Sequence, residues 1–279
     1  MLAGVTYASS RSLFLRTVGR NAARARNAGQ WTWDDAEAGS SAAERSVVCG
    51  GVDVLGDLDD DFREICRQAA SHFAHRKLFL DRQFPYSRST VKAALRQDPS
   101  PSAVCIMAHG WVDDEDHRMS GLLVERDTLG VSLRDIPLHG GRYFDFRDLP
   151  LRRPPRRIRA RKPIEVFAAA ELEVDAAIDC ELVMLLGCSA GWGRLLQGDA
   201  PASLAETWLK IGAASVVAPL WDAPIEAVRH WSRAFLDGWC GADLPKALAM
   251  RRAMRRMFDG PFRDAPERLG VMTLRGDWL

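Results

Sequence analysis

The feature that most restricts this chain is an alternation, from about residue 46 onward, of continuous apolar runs with amphipathic stretches. Ser46–Leu55 reads as a first strand. Asp59–Phe73 reads as a helix, because Phe62, Ile65, Cys66, Ala69 and Phe73 recur at helical spacing. A short apolar run, Lys77–Leu80, is followed by a capped helix at Ser89–Leu95 and, after a Pro/Ser turn, by a strand at Ala103–His109. Then come a strand at Leu182–Gly187, a helix at Ala202–Ile211 and a strand at Ala214–Leu220. Helices near 223–238 and 243–258 precede a last strand-like piece, Gly270–Gly276. Strands without polar alternation must be covered on both faces, so the pattern predicts an α/β fold with a mostly parallel central sheet between helical layers. Chemistry in such sheets gathers at the carboxyl ends of the strands. His109 and Cys188 each follow a strand directly.

Two segments break the alternation. Residues 1–45 are rich in Ala, Arg, Ser and Gly and read as an N-terminal appendage or partly ordered arm, set apart from a domain at 46–279. Residues 139–164 carry eight Arg, one Lys and four Pro and read as an exposed insertion. The 279-residue chain has a net charge of +1, which argues against a general polyanion binder. Its six cysteines form no C-x-x-C pair and mostly sit in apolar runs, as free thiols do in a reducing compartment. The basic N-terminus lacks the continuous apolar run of a secretory signal, and no stretch approaches the roughly 20 apolar residues of a membrane span. The expectation is a cytoplasmic protein.

Residues 185–193, LLGCSAGWG, admit two nucleophiles. Gly187-Cys188-Ser189-Ala190-Gly191 fits G-x-S-x-G, the nucleophile elbow of an α/β-hydrolase, with Ser189 attacking. That order demands an acid and then a histidine on later strand ends. Only His230 lies downstream, eight residues after Asp222 and within one helix, so this reading lacks its base. The alternative makes Cys188 the nucleophile and His109, on a neighbouring strand end, its base. The backbone N–H groups of Gly110 and Cys188 would then face the developing oxyanion.

His109-Gly110 after an apolar strand, Glu181–Gly191 (ELVMLLGCSAG), Gly212–Trp221 (GAASVVAPLW) and the closing Val271–Asp277 (VMTLRGD) together resemble the CHAT domain, whose members are caspase-like and separase-like cysteine peptidases of clan CD. The resemblance spans roughly residues 46 to 279. It implies a bacterial, caspase-hemoglobinase-like α/β/α sandwich with His109 as general base and Cys188 as the acylated nucleophile. The 79 residues from His109 to Cys188 exceed the roughly 50 of caspases, and the insertion accounts for part of the excess. Leu-Gly-Cys-Ser-Ala-Gly departs from the family's frequent Ser-Ala-Cys-Glu-Thr-Gly and is closer to separase.

Pro219-Leu-Trp-Asp222 is similar to the separase Leu-Trp-Asp. That likeness implies an Asp222 carboxylate that lines the S1 pocket and pairs with a P1 Arg or Lys, and Trp221 beside it reads as core or as pocket wall. Against it stands a plain alternative, that Asp222 caps the helix beginning at Ala223-Pro224. The Arg-rich insertion has three readings: a solvated loop, an autocleavage or pseudo-substrate loop cut after Arg157, Arg159 or Arg161, and, ranked last, a nucleic-acid contact. The acidic run Asp113–Asp116 with His117 reads as a solvated loop, not a metal site, and no cofactor is expected. By resemblance the function is regulated limited proteolysis in bacterial defence or programmed death, with a protein or peptide such as a gasdermin as substrate. No internal repeat is present, so a sensor or activator is expected on another polypeptide or in the N-terminal arm. A catalytically silent scaffold for basic peptides is the remaining rival, beside the serine esterase.

Overall fold

The structure, a computed structural model, describes residues 6–7, 45–53, 58–79, 91–92, 101–112, 120–125, 164–169, 172, 178–195, 201–265 and 271–277. Arg157, Arg159, Arg161, the acidic run with His117 and nearly all of the basic insertion lie outside the described residues.

In chain order the elements are β1 (Thr6–Tyr7), β2 (Ser46–Val52), α1 (Asp59–Ser71), β3 (His75–Phe79), β4 (Ala103–Ala108), β5 (Gly110–Trp111), β6 (Gly121–Glu125), β7 (Ile164–Ala168), β8 (Leu182–Leu185), β9 (Gly193–Leu195), β10 (Pro201–Ser203), α2 (Leu204–Ile211), β11 (Ser215–Pro219), α3 (Ile225–Leu236), a π-helical turn (Asp237–Gly241), α4 (Lys246–Phe258) and β12 (Met272–Gly276). The seven-stranded central sheet runs β1-β12-β11-β8-β4-β2-β3. β11, β8, β4, β2 and β3 are mutually parallel, whereas β12 is antiparallel to β11 and β1 pairs parallel to β12. The expected mostly parallel sheet is therefore present.

The order of the five parallel strands reverses between β2 and β4, because β3 follows β2 on one side and β4 follows on the other. A crevice opens at such a reversal, beyond the carboxyl ends of the strands. Apolar residues on both faces of the strands supply two cores. On β4, Val104, Ile106 and Ala108 pack with Leu122, Phe167 and Trp208. Ala103, Cys105 and Met107 point the other way, with Phe62 of α1 and Trp231 and Phe235 of α3.

Some boundaries differ from the expected ones for local reasons. The helix expected from Ala202 starts at Leu204, because Pro201–Ser203 pairs with β9 and Ser203 Oγ accepts the Glu206 N–H at 3.2 Å as an N-cap. The small antiparallel sheet β5-β6-β7 was not foreseen, and β7 begins at the last residue of the Arg-rich insertion. At the amino ends of the strands, Arg45 donates to the Trp239 carbonyl and to Asp243, lies over the Trp239 ring, and shares Glu181 with the fully buried Lys246.

Candidate active site

Four strand ends, neighbours in the sheet, meet along the carboxyl edge where such a reversal opens a crevice. β2 leads into Asp53, β4 into His109, β8 into Cys188 through Leu186 and Gly187, and β11 into Asp222 through Leu220 and Trp221. Asp53 Oδ1 lies 2.7 Å from His109 Nε2, across the β2/β4 reversal. The Asp53 side chain is wholly buried, and its other oxygen accepts the Leu58 N–H at the start of α1. A carboxylate only accepts, so Nε2 is the donor in this pair, and in the neutral ring that tautomer puts the lone pair on Nδ1. Phe62 of α1 flanks the imidazole at 5.1 Å between ring centroids.

The histidine and cysteine segments touch through their backbones. A Cβ on Gly110 would fall 1.7 Å from the Cys188 carbonyl oxygen, and one on Gly187 would fall 2.7 Å from the Ala108 carbonyl oxygen. Only glycine fits at either place, and the requirement comes from close approach. The adjacency expected from the sequence, with β4 beside β8, is thus present in register from Ala103↔Leu182 to Ile106↔Leu185.

The turn after Gly187 is compact. Ala190 N–H donates to the Gly187 carbonyl and Trp192 N–H to that of Ser189, while Ser189 adopts the left-handed region at φ 56°. That turn leaves Cys188 half-buried, with Sγ 4.0 Å from the Ala223 carbonyl. Burial chiefly, and the nearby Asp222 carboxylate, push the Cys188 thiol above its ordinary pKa. The thiol form therefore dominates at neutral pH when the crevice is empty.

Asp222 is exposed and accepts from Ser189 Oγ at 3.4 Å, while the Trp221 carbonyl accepts the Ser189 N–H at 3.3 Å. It caps nothing: Pro224 occupies the N-cap of α3, which has no side-chain capping bond. Trp221 is 42% exposed, so it belongs to the crevice rim and not to the core. Trp192, at 47% exposed, follows the same turn and was not singled out in the sequence. Among the described residues Ser189 reaches a carboxylate and no histidine, and His230, on α3, packs edge-on against Phe262. The structure therefore brings together His109, Gly110 and Cys188, with Trp221 and Asp222 beside them, and among the described residues it sets no histidine against the serine.

Asp53 is the residue the sequence reading missed. Its signal was present: it is the charged residue that ends the apolar part of β2, as His109 and Cys188 end theirs. A run continuing into Val54 and Leu55 hid it inside an expected strand. Among the described residues no cluster of His, Cys, Asp and Glu suits a metal ion, and no helix is long and apolar enough to cross a membrane.

The CHAT domain family matches residues 2–269, nearly the whole chain. No curated protein matches the sequence. Among solved structures, the fold is similar to the Arg-specific cysteine proteinase gingipain R, with a TM-score of 0.51 at 10% identity over 87% of this chain and 49% of that one. It is also similar to a complex of the pro- and mature domains of Porphyromonas gingivalis RgpB, with a TM-score of 0.50 at 10% identity over 85% and 48% of the two chains. A Saccharomyces cerevisiae separase–securin complex matches with a TM-score of 0.47 at 13% identity, over 84% of this chain and 12% of that one. The chain spans about half the length of the gingipain chains it matches. The likeness to the gingipain chains is one of fold, a mixed α/β architecture with a mostly parallel central sheet.

Proposed function

The chain belongs to the CHAT domain family, and from that premise we propose that it is a cysteine endopeptidase acting through Cys188 and His109. The observation that carries the reading is the direct backbone contact between the segment holding the imidazole and the segment holding the thiol.

Asp53 fixes the ring with Nδ1 as the open nitrogen. When a peptide enters the crevice, His109 Nδ1 takes the thiol proton and the Cys188 sulfur attacks the scissile carbonyl carbon. The N–H groups of Gly110 and Cys188 receive the oxyanion. The C–N bond breaks as His109 returns the proton to the leaving amine. His109 then deprotonates water, which hydrolyses the thioester and frees the thiol.

Asp222, exposed at the rim beside Trp221, suits a P1 Arg or Lys. A cation there has a second effect, because neutralising Asp222 removes one of the causes that raise the Cys188 pKa. Five of the six free cysteines are buried, which agrees with a reducing, cytoplasmic setting. The resemblance supports limited proteolysis of a protein substrate under control of a separate activator, in bacterial defence or programmed death. In this reading residues 1–45 are an arm appended to the 46–279 peptidase domain, tied to it where Thr6–Tyr7 pairs with β12 at the edge of the central sheet. Cleavage after Arg157, Arg159 or Arg161 is a further part of it.

A fluorogenic panel with Arg, Lys or Asp at P1, run on wild type, Cys188→Ala, Ser189→Ala and Asp222→Ala, tests the proposal. Turnover of Arg peptides that Cys188→Ala abolishes and Ser189→Ala spares supports it. Best cleavage after Asp overturns the assignment of Asp222, and loss only in Ser189→Ala overturns the nucleophile.

A further inference from the structure

Behind the nucleophile turn sits a buried ionic group that the chemistry above does not use. Arg275 is 7% exposed, Glu206 1% and Ser203 3%. One arm of the Arg275 guanidinium, Nη1, donates to Glu206 Oε1 and to Ser203 Oγ, both at 3.0 Å. The other arm, Nη2, donates to the Gly191 carbonyl at 2.5 Å. Glu206 and Ser203 belong to the first turn and cap of α2, whereas Gly191 lies in the turn that begins at Cys188.

Resting on the peptidase reading, we infer that Arg275 is a positioning residue: it fixes the Gly191 carbonyl and with it the turn that aims the Cys188 N–H at the oxyanion. Three arguments support this. A buried ion pair is a poor source of stability, since apolar side chains of similar volume serve as well or better. What a guanidinium adds is a rigid fork that serves acceptors on two elements at once, which a lysine ammonium cannot reproduce. The remaining polar groups at this point of the turn are pinned as well, with Gly191 N–H donating to the Pro219 carbonyl at 2.7 Å and Ala205 N–H to the Ala190 carbonyl at 3.3 Å. Arg275 itself is held from both sides of β12, in register with Val216 on β11 and Tyr7 on β1. The end of the turn thus has no freedom to drift, and a preorganised oxyanion donor requires that.

Two reagents separate this role from plain stability. A peptide aldehyde with P1 Arg adds to the Cys188 thiol and places an oxyanion at the site. Iodoacetamide alkylates the same sulfur by displacing iodide, with no oxyanion formed. Arg275→Lys keeps the charge opposite Glu206, and the double variant Arg275→Met/Glu206→Leu removes both charges and keeps the volume. In both, aldehyde affinity and kcat are expected to fall by the same factor, about tenfold to a hundredfold, with KM and the alkylation rate unchanged within about twofold. If both variants keep wild-type aldehyde affinity, Arg275 has no such role. Aldehyde affinity and alkylation that fall together, in step with Tm, also overturn it. Wild-type protein that cleaves no peptide of the P1 panel and binds no peptide aldehyde of matching P1, with host lysate added as a source of activator as well as without it, overturns the peptidase reading, and this inference with it.

Discussion

At the amino ends of the parallel strands, Arg45, Glu181, Asp243 and Lys246 close on one another, with the Trp239 ring and carbonyl completing the group. At the carboxyl ends, Asp53, His109, Cys188, Ser189 and Asp222 also run from one strand end to the next, but their chain of contacts stays open. Asp53 is wholly buried, His109 and Cys188 are partly exposed, and Asp222 faces solvent. Both ends collect charge where backbone groups leave the sheet. The lower end spends most of its donors and acceptors internally, and at the upper end the imidazole, the thiol and the Asp222 carboxylate are partly or wholly exposed. Exposure of reactive groups, more than the number of ionisable ones, separates a site from a brace.

The sharpest way to break this comparison is to remove the sulfur. Cys188→Ala is expected to lower kcat by about 10⁶-fold, as loss of a nucleophile does, with Tm unchanged. A peptide panel and a thermal scan check both halves. Asp53→Asn is expected next, at about 10²–10⁴-fold in kcat. The asparagine amide can offer a hydrogen to Nε2 and so place the ring proton on Nδ1, where it blocks acceptance from the thiol. Single-turnover kinetics against pH reads that loss, which a merely weakened fold would not show at constant Tm. At the lower end the effects invert. Glu181→Gln leaves the buried Lys246 without a full counter-charge and is expected to cost about 3 kcal/mol of stability, measured by denaturant unfolding, with kcat of the folded fraction intact. Smallest is Asp222→Asn. Losing a negative charge beside the thiol lowers its pKa, so iodoacetamide alkylation of Cys188 at pH 8 is expected to rise about threefold, while kcat/KM for P1-Arg peptides falls. Unchanged alkylation would detach Asp222 from the nucleophile.

Much of this was legible in the chain. Apolar runs without alternation announced strands covered on both faces, and β4 and β8 appeared within two residues of their expected ends. His109 and Cys188 were legible because each terminates such a run beside a glycine. Asp53 was not, since a lone acid between valines offers no spacing to read, and its partner lies 56 residues away. Arg275 was hidden for a related reason. It sits inside a strand-like run, and its significance depends on Gly191, 84 residues earlier. The capping alternative for Asp222 was reasonable locally, but Pro224 took the N-cap and left the carboxylate to Ser189.

The fit between Gly110 and the Cys188 carbonyl has an evolutionary reach. One methyl group there acts as a wedge between two strand ends, displacing the base from the sulfur while every reacting atom is retained. A chain with alanine at this place would keep a complete set of textual active-site residues, its silence written in a single methyl group.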